Sequence, residues 1–442
     1  MSKEKLPVLL MTAPVGTRSG YGARSRDVAL SIIRSGKYNV KIWPTRWGST
    51  PQDALNEQDE KDKLIIDCLL QDPNLPAQPE VYVAITVPNE FQRLGKYNIG
   101  ITAGIETTLA AAPWIEGCNR MDLILTSSEH SKKVLSESTW QKVDEKTKQP
   151  VANIKLEKPI EVLFEGVDPT VYYKTKELHK SVLDQLDQVK EPFAFLFVGH
   201  WLKGDFGQDR KNISAMVKTF LETFKNKGKT KRPALILKTS AADFSPLDKK
   251  EMINKLKQLY DSVEGGLRPL PNVYLVHGDL TDDEMNTLYN HPKVRAHITF
   301  TKGEGYGRPL AEASLSEKPI IAPTWGGHID FVKHSIQLPG TLTNVHPSAA
   351  WENVILQESQ WFSVDLAQAS EAMKFVADDK NKRAIQVLGK RQASTIKKSF
   401  LLEHMESKLI EILDKSVPEF PKQVDLKLPK LQKLQLPKLK KI

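Results

Sequence analysis

The sequence predicts an α/β protein of two doubly wound domains, and three observations carry that prediction. At 442 residues the chain is too long for one ordinary core. An apolar strand, a glycine-bearing loop and a helix succeed one another over residues 8–34, and the same order restarts at Phe193. It returns over residues 296–332, where Gly303, Gly305 and Gly307 punctuate the loop. Units of this kind aim free amides at the carboxyl edge of a parallel sheet, where open α/β folds bind their ligands.

Composition fits a soluble globular protein, with 40% hydrophobic and 26% charged residues. No apolar run reaches the roughly eighteen residues that span a membrane, and residues 1–16 read as a first strand and its turn, not a signal peptide. Cys68 and Cys118 are too few for a disulfide framework or a four-ligand zinc site, so a reduced, cytoplasmic protein is expected. The net charge of +9 invites a nucleic-acid or anionic-membrane partner. Seven lysines against one aspartate over residues 421–442 carry six of those charges and leave +3 for the rest.

In chain order, residues 8–11 read as a strand, 12–22 as a loop containing Gly16, Gly20 and Gly22, and 23–34 as a helix. Arg18 and Arg24 read as solvated surface arginines, with contact to a bound diphosphate as the alternative. Strands follow at 39–43 and 80–87 with a helix over 59–70 between them. A further strand ends in the polar turn at Gly104, which brings Glu106 and Thr107 to the ligand edge, although a helix-capping role for Glu106 is equally open. Residues 114–121 read as a helix, 122–126 as a strand, 127–131 as the next helix start, and 173–191 as a charged helical connection.

The second domain opens with the strand 193–199 and a loop over 200–212 that carries Lys203, Arg210 and Lys211. Strands are expected at 234–238, 273–277, 296–300 and 320–322, and helices at 246–264, 278–289, 367–377, 382–399 and 400–415. Asp282 and Asp283 read as an N-cap and a first-turn charge. Pro309 suits the first turn of the helix after Gly307, and Arg308 before it is pushed out of helical geometry.

Within that last unit, Glu304 and Glu312 are separated by seven residues and followed by Lys318-Pro319-Ile320-Ile321-Ala322 and Gly326-Gly327. This pattern resembles the donor-sugar signature of family 4 retaining glycosyltransferases, which have the GT-B fold: two Rossmann-like domains facing across a cleft, with a C-terminal helix crossing back. The resemblance covers residues 1 to about 415 and implies an acceptor-side domain at 1–175, a nucleotide-sugar domain at 176–398, a crossover helix at 399–415 and a basic tail at 416–442. It further implies that Glu304 positions the sugar, that Glu312 holds the ribose, and that the amides of Gly305, Tyr306 and Gly307 face the diphosphate.

The loop after Gly199 is similar to the family's basic diphosphate loop. Lys211 matches its lysine, while His200 stands where an arginine is usual, so Arg210 or Lys203 would supply the second cation. The resemblance places Gly20 in a loop closing over the diphosphate, and His277 and Gly278 beside the base, with a packed strand-end histidine as the alternative for His277. Glu106 stands where many relatives carry a sugar-contacting histidine. Fixed cations would stabilise the departing diphosphate, and no Asp-x-Asp pair suggests a metal, so metal-independent chemistry on a nucleotide-diphosphate sugar, UDP-linked, is expected without a further cofactor.

The block from Pro88-Asn89-Glu90-Phe91 to Ser127-Ser128-Glu129-His130-Ser131 resembles a branch of these transferases found in tailed phages. In the tail, Leu428-Pro429-Lys430-Leu431 recurs as Leu436-Pro437-Lys438-Leu439, with proline too frequent for a helix. A DNA- or lipid-binding arm and a disordered tail without a specific role are both open readings of it. Together these features favour a hydroxymethylated pyrimidine in double-stranded DNA as acceptor, flipped out to reach the sugar. A surface glycan or lipid-linked sugar is the second reading, and a non-catalytic nucleotide-sugar-binding protein the third. The sequence leaves the sugar and the oligomeric state open.

Overall fold

The computed structural model describes residues 5–72, 75–144, 146–241, 244–263 and 269–421; the Pro-Lys-Leu repeats at 428–431 and 436–439 lie outside them. The N-terminal strands are β1 (Val8–Ala13), β2 (Asn39–Pro44), β3 (Val81–Ile85), β4 (Tyr97–Thr102) and β5 (Leu123–Thr126), then a hairpin of β6 (Trp140–Val143) and β7 (Pro150–Ile154), and β8 (Ile160–Val162). The C-terminal strands are β9 (Ala194–Val198), β10 (Ala234–Lys238), β11 (Val273–Val276), β12 (Val294–Ile298), β13 (Ile320–Pro323) and β14 (Ile336–Leu338), followed by a hairpin of β15 (Gly340–Asn344) and β16 (Gln360–Val364).

Among the described residues these strands make two six-stranded sheets, ordered β2-β1-β3-β4-β5-β8 and β11-β10-β9-β12-β13-β14. Every strand pair within the two sheets is parallel. Central strands such as β3 are buried along their whole length, as parallel strands covered on both faces must be. The order reverses between β1 and β3 and between β9 and β12, and the crevices at those switch points face ligands.

The covering helices are α1 (Gly20–Ser35), α2 (Glu60–Ile66), α3 (Ala112–Asn119), α4 (Glu129–Glu137), α5 (Lys180–Leu186), α6 (Ile213–Phe224), α7 (Pro246–Asp261), α8 (Asp282–Asn290), α9 (Arg308–Ser314), α10 (Leu366–Ala377), α11 (Lys382–Ser399) and α12 (Leu402–Ser416). This is the predicted GT-B architecture. The last helix belongs to the first core: Met405, Leu409, Ile412 and Leu413 pack with Leu9, Val28 and Ile32. The two chain crossings are tied together where Val167 N donates to Phe400 O (3.0 Å) and Leu402 N to Val167 O (2.8 Å).

Several boundaries differ from the sequence reading for identifiable reasons. Ser19 caps α1 by accepting from Gly22 N (2.9 Å), so the helix starts at Gly20 and not at residue 23. The 59–70 helix stops at Ile66 because Leu70 N and Cys68 O pair with Ile42 of β2. The 173–191 connection is helical only in α5, since the amides of Tyr173, Thr175 and His179 bond side chains of α8 instead. The strand expected at 296–300 lies two residues earlier, as β12. Thr281, with Glu284, forms the cap of α8, leaving Asp282 and Asp283 in its first turn. The two hairpins carry mostly partly exposed residues and gave no apolar run to read.

Arg24 is not a solvated surface arginine. It is only 2% exposed, and its guanidinium donates to the carbonyls of Phe164 and Leu163 where the chain leaves the first domain.

Because α12 completes the first core, Leu409→Ala should destabilise that domain by roughly 2–5 kcal/mol. Urea unfolding followed by circular dichroism checks this, and an unchanged midpoint would show that the helix is dispensable.

Candidate active site

The site begins at the carboxyl ends of β9 and β12. After β9 the chain runs through residues 199–212, which are fixed by a buried carboxylate. Asp209 accepts from Ile213 N (3.0 Å) and Ser214 Oγ (2.9 Å), capping α6 from outside it, while Asn212 takes the left-handed conformation with φ 55°. Asn212 N returns to Asp209 O (2.8 Å), and Lys302 N bonds Arg210 O (2.8 Å). Arg210 and Lys211 are thereby held at set positions.

Both cations converge on Glu304. Lys211 Nζ lies 2.5 Å from Glu304 Oε1, and an Arg210 guanidinium nitrogen lies 3.6 Å from Oε2. The same nitrogen is 3.4 Å from Glu106 Oε1, across the domain boundary, and 3.3 Å from Gly303 O. Burial alone would push the Glu304 carboxyl up, but Lys211 and Arg210 outweigh it and hold the group below the usual carboxylate range. Burial pulls the Lys211 ammonium down, against the opposing pull of Glu304. The pair is largely removed from solvent, with 11% and 9% of the two side chains exposed.

Gly307, at φ 98°, caps α9, whose first residue is Arg308; the helical boundary therefore lies one residue before the position expected from Pro309. At seven residues α9 has little dipole, so positive charge at the loop amides comes chiefly from Lys211 and Arg210. The Tyr306 side chain turns into the core against Phe331, leaving only its backbone for the loop. On α9, Glu312 accepts from Tyr289 Oη (3.1 Å) and Arg308 Nε (3.0 Å). Burial raises its carboxyl to about 7 despite Arg308.

Two features of the cleft gave no signal in the sequence. Arg308 also reaches Asp27 of α1 (2.7 Å) and Glu165 (3.9 Å), so residues 27, 165 and 308 form one charge cluster between the domains, with Glu165 buried and the other two partly so. His328 is fully buried and pairs through Nε2 with Pro323 O (2.9 Å), while its Nδ1 has no partner. From the facing domain His130 presents an unpaired Nε2 and stacks edge-on against Trp325, ring centroids 4.5 Å apart. Burial, then His328, lowers the His130 pKa to about 4, so its imidazole is neutral.

Other expected site residues lie apart from Glu304. Lys203 is exposed and donates to Ala350 O, which leaves Arg210 as the second cation. His200 is exposed and its Nδ1 meets Ser240 Oγ at 3.3 Å. His277 is buried against Asp248 (2.6 Å), the packed alternative, while Gly278 at φ 117° accepts from Lys238 Nζ. Gly20 is the first residue of α1, not part of an open loop; beside it Arg18 bridges Asp53 (2.9 Å) and, across the cleft, Asp279 (2.8 Å). Gly199 adjoins Lys211 at the end of β9.

The domains meet backbone to backbone at this site. A Cβ on Gly303 would fall 1.8 Å from Glu106 O, and one on Gly305 would fall 2.2 Å from Ala103 O. Ser128 Oγ donates to Gly305 O (2.6 Å), Ser127 Oγ joins it (3.1 Å), and Glu129 N bonds Asp330 (2.8 Å). Among the described residues no three His, Cys, Asp or Glu side chains group as a metal site, and no helix is long and apolar enough to cross a membrane.

No family model matches the chain, and no curated protein matches it. Solved structures do match its fold. Anabaena Alr3699/HepE in complex with UDP-glucose superposes with TM-score 0.58 at 12% identity, covering 92% of this chain and all of that one. The sucrose-phosphate synthase of Thermosynechococcus elongatus gives 0.58 at 12%, covering 93% and 99%. The E. coli trehalose-6-phosphate protein bound with UDP-2-fluoro glucose gives 0.58 at 10%, covering 93% and 100%. At such identities the likeness establishes the fold, which is GT-B.

The glycine contacts make closure testable. Gly305→Ala should force the domains apart, raising the radius of gyration in small-angle scattering while the circular dichroism spectrum stays unchanged. An unaltered scattering curve would show that the contact at residue 305 does not set the closed state.

Proposed function

We propose that the protein transfers a sugar from a nucleotide-diphosphate sugar to an acceptor hydroxyl at this cleft, with retention of configuration and without a metal. The observation that carries the reading is the convergence of Lys211 and Arg210 on the buried Glu304, beside the amides of residues 305–307. A nucleoside diphosphate gains negative charge as it departs, and fixed cations in a desolvated site stabilise that charge most in the transition state. The acceptor oxygen bonds the anomeric carbon as the bond to the diphosphate breaks. The bonding pair remains on the diphosphate oxygen, which takes the hydroxyl proton.

In this reading Glu304 positions the sugar, Glu312 accepts from the ribose hydroxyls, and Glu106, fixed by Arg210, faces the sugar from the first domain. Residues 1–175 form the acceptor side and 176–398 the donor side, with the 399–415 helix joining them. UDP is the preferred carrier because the matched structures include complexes with UDP-glucose and UDP-2-fluoro glucose. The resemblance of residues 88–131 to the phage branch and the seven lysines of residues 421–442 motivate a hydroxymethylated pyrimidine in double-stranded DNA as acceptor.

Release of free nucleotide from a panel of UDP-sugars, with hydroxymethylated and plain DNA as acceptors, tests the whole reading. Glu304→Gln should lower transfer by about 100-fold or more while leaving the UDP affinity within about threefold. Equal loss of both would reassign Glu304 to binding. Turnover with a glycan acceptor only would exclude DNA, and UDP binding sensitive to Lys211→Ala without any turnover would favour a non-catalytic binding protein.

A pH dependence follows from Glu312. Its carboxyl titrates at about 7, and only the ionised form accepts two ribose hydroxyls. UDP affinity should therefore rise about tenfold from pH 6 to pH 8 and level off above that. Calorimetry on the wild type and Glu312→Gln checks this; an equally steep rise in the variant would place the titrating group elsewhere.

A further inference from the structure

A second concavity adjoins the site at Arg210. It has a volume of about 260 Å³ and is lined by Leu202, Lys203, Arg210, Ala349, Trp351 and Ile355. Its outer wall is the segment between β15 and β16. That segment is anchored from below by a small core of Val345, Ala349, Ile355 and Trp361. It is tied to the basic loop where Asp205 N donates to Ser348 Oγ (2.9 Å) and Lys203 Nζ donates to Ala350 O. It is also tied to the first domain, where Thr108 N donates to Gln360 O (2.9 Å) and Gln360 N to Thr108 Oγ1 (2.9 Å). Thr108 lies two residues beyond Glu106, so the wall meets the first domain close to the active site, while every lining residue of the pocket belongs to the second domain.

Arg210 is the wall shared with the active site. Its guanidinium lines the concavity and also lies 3.4 Å from Glu106 and 3.6 Å from Glu304. A group seated here is therefore one guanidinium away from the carboxylate assigned to the transferred sugar. Trp351 is 53% exposed, an unusual state for the largest apolar side chain, and it offers a flat face to whatever enters.

The lining decides the chemistry of that group. Four of its six residues are apolar and two are cations; no carboxylate or amide side chain is among them. A sugar acceptor presents hydroxyls in every direction and needs side-chain acceptors that the pocket lacks. A planar heterocycle with an attached anion needs an aromatic platform and fixed positive charge, and both are present. The volume falls short of the roughly 300–1,000 Å³ of sites for drug-sized ligands, which suits one ring better than a stacked pair.

We propose that this pocket is the acceptor subsite, and that it receives a nucleotide whose base stacks on Trp351 while its phosphate meets Lys203, with Arg210 directing the base substituent towards Glu304. The assignment rests on the transferase reading above and narrows its acceptor to a nucleotide, either free or as a base turned out of DNA.

The test is direct binding, which needs no turnover. 5-Hydroxymethyl-deoxycytidine monophosphate is titrated calorimetrically into the full chain saturated with UDP. Saturable binding is expected. Trp351→Ala should weaken it about tenfold to a hundredfold, the range of base–aromatic stacking, and Trp351→Phe should stay within about fivefold of wild type. UDP affinity unchanged in both variants shows that they are folded. Lys203→Ala should reduce the slope of log affinity against log salt by about one.

The same titration with a duplex carrying one 5-hydroxymethylcytosine identifies the source: Trp351-dependent binding assigns a flipped base, and binding of the mononucleotide alone assigns a free nucleotide. Absence of binding by both nucleotide probes, indifference to Trp351→Ala, or tighter Trp351-dependent binding of glucose 6-phosphate overturns the subsite. Nucleotide binding without release of UDP from any UDP-sugar would overturn the transferase reading and with it the acceptor role, leaving a nucleotide-binding pocket.

Discussion

The desolvated ion pair between Lys211 and Glu304 is the constraint on which the arrangement depends. Glu304 is 7% exposed, and burying two charges is favourable only when geometry and further hydrogen bonds compensate for lost water. Removing one partner of such a pair typically costs roughly 3–5 kcal/mol, since the other charge is left stranded. Here compensation comes from Arg210 on the second carboxylate oxygen and from Asp209, which fixes the backbone of both cations. A site built this way holds its positive charge before any ligand arrives, and a preorganised charge need not reorganise as a leaving group departs.

Closure of the two domains follows from backbone approach. Gly303 and Gly305 bring their main chain against the carbonyls of Glu106 and Ala103, distances that no side chain at either position permits. Around that contact Arg308 links Asp27, Glu165 and Glu312, so a carboxylate on α9 is connected to the first domain and to the segment joining the domains. Ribose engagement at Glu312 and closure of the cleft would act on the same guanidinium.

The readable parts of the chain were those with local causes. β10 and α11 lie where apolar period and length put them, and the glycine loop before Pro309 was visible from residue type. Helix ends moved where distant partners intervened: residues 67–70 join β2, and residues 173–179 bond α8, so neither continues as a helix. Lys203 and Arg210 are equivalent as sequence, yet one turns to Ala350 and the other to Glu304. The strands at 140–143, 150–154 and 340–344 alternate too weakly to be seen, because much of each remains at the surface.

The sequence by itself determined the succession of strand, glycine loop and helix, hence the two parallel sheets. Those features depend on backbone conformation and residue type within short windows. Only the tertiary structure decided that Arg308 bridges residues 27 and 165, that Arg24 is buried, that His130 packs against Trp325, and that Trp351 stands beside Arg210. Each of these joins segments more than a hundred residues apart, and long-range packing, not local preference, sets which groups meet and which lose their water.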